Sequence, residues 1–134
     1  MTAVDTNILI YARDRRDERK MEIAQDLIAS LDDGVLLWQV ACEYLWASRK
    51  LSDQQYSSDA AFDDIKKLRE GWLTALPTWD VLDRAKSLKS HGLSYWDALI
   101  VAACIEARVD TFFTEDFSEQ RIESLEIVNP FKVQ

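Results

Sequence analysis

Apolar and polar positions along this chain fall into short blocks whose period switches between strand-like and helix-like, which predicts strands alternating with helices. Ala3 and Val4 ahead of Asp5 form a short apolar strand, and Thr6 or Asn7 is placed to cap a helix opening at Ile8-Leu9-Ile10-Tyr11. Met21, Ala24, Leu27, Ile28 and Leu31 recur at helical spacing, so a second helix is expected to run to about residue 32. Asp33-Gly34 is a turn, and Val35-Leu36-Leu37-Trp38 a compact buried strand. Helices are predicted from Val40 to about Leu51 and from about Ser52 to Glu70, where Gly71 ends the pattern. Trp72 to Pro77 reads as a strand, and Thr78 caps a helix that stops at His91-Gly92. Ser94 opens the helix from Tyr95 to about Ala107, apolar nearly all round and so expected to be central and buried. Asp110 to Thr114 and Leu125 to Val128 complete the strands. Such alternation implies an α/β domain with a mostly parallel central β-sheet covered on both faces by α-helices.

Four carboxylates gain meaning from that layout: Asp5 in V-D-T-N, Glu43 in Q-V-A-C-E-Y-L, Asp97 in L-S-Y-W-D-A-L-I and Asp116 in F-F-T-E-D-F. Asp5 ends the first strand and Asp116 lies just past the Phe112-Phe113 strand; Glu43 and Asp97 fall in the first turns of helices. In an open parallel sheet, ligands collect at the carboxyl ends of the strands, and all four positions belong to that edge. Two like charges about 4 Å apart repel by about 4 kcal/mol at an effective dielectric near 20. A cluster that stays ionised therefore needs a cation, and hard oxygen donors favour Mg²⁺ or Mn²⁺. The chemistry expected of such a cluster is metal-dependent phosphodiester hydrolysis.

Each acid also has a plainer reading. Asp5 and Asp116 suit turns or helix N-caps, and Asp97 completes a Ser94-x-x-Asp97 capping box. Glu43 shares a helical face with Gln39, Trp46 and Lys50, where an exposed Glu is ordinary. The joint pattern, not any single acid, carries the expectation. Asp59, Asp63 and Asp64 form a competing group, but among Lys66, Lys67 and Arg69 they read as a solvated face.

Composition narrows the classes. At 134 residues the chain suits one domain, and no apolar run reaches the ~20 residues of a membrane span. Met1 leads straight into the first strand without a basic leader, and Cys42 and Cys104 lie in apolar helical patterns as buried free thiols; a cytoplasmic protein is expected. A single His, no Cys pair for zinc, and no Walker, G-x-S-x-G or G-x-G-x-x-G motif exclude several other chemistries. The net charge of −8 argues against broad adhesion to nucleic acid and suits a basic protein partner as well as locally gripped RNA. The basic stretch Arg13, Arg15, Arg16, Arg19, Lys20 holds its own acids and reads as a self-paired helix start. The five tryptophans are mostly core candidates, with Trp96 placed to pack under the site.

At V-D-T-N-I-L-I-Y-A, L-S-Y-W-D-A-L-I-V-A-A and T-E-D-F the chain resembles the PIN-domain family, specifically VapC-type toxins of toxin–antitoxin pairs, over nearly its whole length. The resemblance implies one PIN-like domain over residues 1–134 whose acidic quartet is Asp5, Glu43, Asp97 and Asp116, supported by Thr6, Asn7 and Thr114. It further implies a Mg²⁺- or Mn²⁺-dependent endoribonuclease, a small cognate antitoxin covering the acids, and a homodimer. Two departures stand out: Cys42 replaces the Asn of many relatives, and Ser118-Glu119 follows Asp116-Phe117 where many have a glycine. A non-catalytic PIN-like module gripping a basic partner is the alternative. A phosphotransferase of the haloacid dehalogenase type ranks lower, because Asn7 stands where that family needs a second Asp.

Overall fold

The computed structural model, which describes residues 1–132, sets its first strand at the middle of a six-stranded sheet. This strand, β1 (Thr2–Val4), is paired in parallel with β2 (Gly34–Leu37) on one side and β4 (Thr111–Phe113) on the other. Beyond β2 lies β3 (Leu73–Ala75), also parallel; beyond β4 come parallel β6 (Leu125–Val128) and antiparallel β5 (Gln120–Ile122). The order β3-β2-β1-β4-β6-β5 reverses direction at the β1/β4 junction. That reversal opens a crevice at the carboxyl ends of the two strands, where open α/β sheets hold their ligands.

Helices α1 (Thr6–Tyr11), α2 (Glu18–Ser30), α3 (Trp38–Ala47), α4 (Ser58–Gly71), α5 (Trp79–Ser87) and α6 (Tyr95–Glu106) flank the sheet. β2 is buried along its whole length, as expected of a parallel strand covered on both sides. α6 carries the densest apolar run and buries Ala98, Ile100, Val101, Ala102 and Cys104 against the sheet. Gly34 matters for packing: a Cβ there would lie 2.4 Å from the indole ring of Trp72, so the close approach of that ring requires glycine. No helix among the described residues is long and apolar enough to cross a membrane.

Several expectations shift by a residue or a turn. Asp5, not Thr6 or Asn7, caps α1 by accepting from the Thr6 amide. Trp38 leaves the strand and opens α3, which gives way at Ser48 to a 3₁₀ segment (Ser48–Gln54) rather than a further α-helix. Gln55, in the left-handed region at φ 62°, breaks the backbone before Ser57 caps α4. The helix capped by Thr78 stops at Ser87; a 3₁₀ turn (Lys89–His91) and Gly92 at φ 73° complete the segment. β5 was not expected at all.

Burial corrects three further points. Cys104 is buried, but Cys42 is exposed: α3 buries Val40 and Tyr44, and Cys42 lies two residues from each, on the other side of the helix. The tryptophans are not core: Trp38, Trp46, Trp79 and Trp96 are exposed, with Trp79 at 81%, while Trp72 packs against the core. Asp64 is not on a solvated face. It accepts from Arg13 at 2.6 Å, from Tyr44 at 3.2 Å and from the Tyr56 hydroxyl, whose oxygen lies 2.6 Å from that of Tyr44. Burial raises the Asp64 carboxyl, but Arg13 and the tyrosine hydroxyls outweigh it and hold the group below its ordinary value. Burial likewise pushes Tyr44 up to about 12.

Candidate active site

Asp5 leaves β1 at the β1/β4 junction and is 4% exposed. Its amide donates to the Phe113 carbonyl at 2.9 Å, continuing the β1–β4 ladder by one step. Its carboxylate accepts from the Thr6 amide at 2.7 Å on one oxygen and from the Thr114 hydroxyl at 2.8 Å on the other. Asp5 therefore has both roles open to it in the sequence, helix cap and site acid. Thr114 Oγ1 also accepts from the Asp116 amide at 3.1 Å and from Asn7 Nδ2 at 3.3 Å. One donor and two acceptor positions are thus all used.

Asn7 ties the junction together. Its Nδ2 donates to Asp116 Oδ2 at 3.1 Å and lies 3.5 Å from Asp5 Oδ2, while its Oδ1 accepts from the Glu115 amide at 3.4 Å. Thr6 contributes differently from the expectation: its amide holds Asp5, whereas its buried Oγ1 has no hydrogen-bond partner among the described residues.

Glu43 and Asp97 reach the same edge from helices. Glu43 stands at the surface of α3 and Asp97 in the first turn of α6. Only half of the capping box forms: the Asp97 amide donates to Ser94 Oγ at 3.2 Å, and no hydrogen bond engages the Asp97 carboxylate among the described residues. Gln39, one turn before Glu43, favours its ionised form, and Cys42 between them is exposed. The i, i+4 spacing was the sequence signal for Gln39.

Two of the four acids, Asp5 and Glu43, are raised above their ordinary values. Burial raises Asp5 from 3.8 to about 6 against the hydrogen bonds from Thr114 and Thr6, and the charges of Asp116 and Glu43 push the same way. Glu43 is raised by lost hydration and then by Asp97 and Asp116, with Gln39 opposing. None of the four is ion-paired with a Lys or Arg among the described residues. The neighbouring acids are occupied instead: Glu115 pairs with Lys20 at 2.7 Å and Glu119 with Lys132 at 3.0 Å. The basic stretch is likewise spent in the fold, Arg16 on Asp14 locally and Arg13 and Lys20 on distant acids. Among the described residues no three Asp, Glu, His or Cys side chains lie together closely enough to hold a metal ion. The direct links are narrower: Asn7 bridges Asp5 and Asp116, while Glu43 and Asp97 stand on the neighbouring helices α3 and α6.

Comparison with known proteins agrees with this architecture. A family model described as the PIN domain matches residues 2–124. Among solved structures, a toxin–antitoxin complex from Klebsiella pneumoniae superposes with a TM-score of 0.66 at 21% identity, covering 99% of this chain and 100% of that one. VapBC2 from Rickettsia felis, bound to a DNA fragment from its promoter, gives 0.65 at 19% identity, covering 96% and 97%. VapC20 from Mycobacterium tuberculosis, a sarcin–ricin-loop-cleaving toxin, gives 0.64 at 17% identity, covering 84% and 87%. No curated protein sequence matches. At these identities the structural likeness is one of fold. The family model spans all but the ends of the chain, and the chain belongs to the PIN domain family.

Proposed function

We propose that this PIN domain is a Mg²⁺- or Mn²⁺-dependent endoribonuclease, the toxin of a type II toxin–antitoxin pair. One observation carries the reading: four carboxylates from four separate elements share one sheet edge, their charges raise Asp5 and Glu43, and none is paired with a Lys or Arg among the described residues. That donor set fits a hard divalent ion. Asp5, Glu43, Asp97 and Asp116 would hold it, directly or through water.

A bound Mg²⁺ or Mn²⁺ supplies a Lewis acid for the phosphodiester and eases ionisation of the attacking water. The chain's own groups do the rest. Thr114 and Asn7 fix the Asp5 and Asp116 carboxylates in orientation. Glu43, raised by lost hydration and by the charges of Asp97 and Asp116, would accept the water's proton as the carboxylate not spent on coordination. In-line attack leaves 5′-phosphate and 3′-hydroxyl ends. With a net charge of −8, the chain grips RNA locally at this crevice rather than along a basic face.

The exposed tryptophans support protein partners as well. Trp38, Trp79 and Trp96 line an apolar groove of about 530 Å³ on the α3, α5 and α6 side, an unusual concentration of aromatic surface for an isolated domain. We assign partners of two kinds to the protein, a second copy of the chain and a small cognate antitoxin that covers the acids.

The test is incubation of total cellular RNA with pure, antitoxin-free protein in Mn²⁺, Mg²⁺ or EDTA. Discrete fragments with 5′-phosphate ends, formed only with metal, are expected. Intact RNA in every lane would instead favour the non-catalytic module gripping a basic partner.

A further inference from the structure

Glu115 and Asp116 are adjacent acids with opposite surroundings, and the contrast points to a device behind the site. Asp116 is exposed and has no cation, whereas both carboxylate oxygens of Glu115 are engaged: the Tyr11 hydroxyl donates to Oε1, and Lys20 Nζ donates to Oε2 at 2.7 Å. The chain bends at Glu115 and Asp116 just past β4, and the two side chains take different partners, Glu115 on α1 and α2 and Asp116 on Asn7, so the first can anchor the second. This is not a surface pair. The Lys20 and Glu115 side chains are 26% and 22% exposed, and Lys20 Nζ lies 4.6 Å from the Tyr11 ring centroid and 5.4 Å from that of Phe131. Phe131 meets Tyr11 edge-on at 5.1 Å, and Arg19 donates to the Phe131 carbonyl at 2.8 Å.

We propose that Lys20 is a positioning residue: through Glu115 it clamps the Thr114–Glu115–Asp116 segment against α1 and α2 and so fixes Asp116 beside Asp5. The segment is held on its crevice side by Asn7, which reaches Thr114, the Glu115 amide and Asp116. It is held on its far side by Lys20 and Tyr11. Remove the far anchor and Glu115 keeps a partly buried charge without a cation, while only Asn7 and the Thr114 hydroxyl restrain Asp116. The inference deepens the metal-centre reading and rests on it for its consequence in catalysis, but the clamp itself has a separate readout.

The experiment compares wild type, Lys20→Met, Glu115→Gln and Lys20→Arg by amide hydrogen exchange without metal and by calorimetric Mn²⁺ titration. Exchange of the Glu115 and Asp116 amides is expected to quicken at least tenfold in Lys20→Met and Glu115→Gln, with the α6 amides unchanged. Mn²⁺ affinity should fall about tenfold in both, the usual scale for losing a group that orients ligands, and Lys20→Arg should restore both readouts. Wild-type exchange at these two amides in Lys20→Met would overturn the clamp, as would quickening spread equally over α6. A wild type that takes up no Mn²⁺ would defeat the metal-centre reading while the exchange data still decided the clamp.

Discussion

The Thr114 hydroxyl donates to Asp5 at 2.8 Å across the junction of β4 and β1, joining residues 109 positions apart. It is the bond on which the crevice turns, because the same hydroxyl also accepts the Asp116 amide and the Asn7 side chain. Thr114→Val keeps the shape and removes the donor and the acceptor. Leaving those buried groups without partners should cost about 1–3 kcal/mol, measured by urea unfolding. NMR titration of the Asp5 carboxyl should show a further rise, since Thr114 is the larger of the two bonds that lower it. A variant as stable as wild type would mean that the bond is not maintained.

Asp5 also fixes a pH dependence. Its folded value of about 6 lies above the ordinary 3.8, so between them the folded chain holds a proton that the unfolded chain has released. The contribution of Asp5 is therefore fully present below the ordinary value and is lost as pH rises through about 6. At about 1.36 kcal/mol per unit this is of order 3 kcal/mol. Asp5→Asn should be the more stable protein in EDTA at neutral pH, and its advantage over wild type should vanish toward pH 4. Denaturation curves for both at a series of pH values give the difference; an advantage that grows on acidification contradicts the assignment.

Asp97→Asn separates capping from chemistry. The cap uses the Asp97 amide and Ser94 Oγ, so the variant should stay within about 0.5 kcal/mol of wild type. RNA cleavage should be abolished. Equal activity in a folded Asp97→Asn protein would remove Asp97 from the site.

Trp79 is the most exposed of the large apolar residues. On the proposed self-association the wild type should sediment as a dimer, and Trp79→Ser should leave the melting temperature nearly unchanged while sedimenting as a monomer. A wild type that sediments as a monomer would overturn the proposed self-association, and a dimer that survives the substitution would place its surface elsewhere.

The sequence carried the parts of this fold that depend on strong local pattern. α6 was visible because Ala98 to Ala103 is an unbroken apolar run after a good cap, and β1, β2 and β4 because short apolar runs stop at Asp5, Trp38 and Thr114. That Asp5 and Asp116 meet followed from where strands end, which parallel topology places on one edge, and Asn7 bridges the two. β5 was invisible because only Ile122 of its three residues is buried, and its pairing with β6 gives no period to read. Asp64 looked solvated because its partners, Arg13, Tyr44 and Tyr56, belong to other parts of the chain. The tryptophans misled for a related reason: hydrophobicity marks burial, and does not say whether the cover comes from this chain or a partner. Lys20 and Glu115 sit 95 residues apart, and nothing local announces their pairing.

The most direct measurement is calorimetric titration of metal-free protein with Mn²⁺, run on wild type and on the amide variants of Asp5, Glu43, Asp97 and Asp116. If the four carboxylates act as one cation-holding centre, wild type binds Mn²⁺ and each variant binds it at least tenfold more weakly. A wild type that shows no binding, or an Asp97→Asn protein that titrates like it, would contradict that claim.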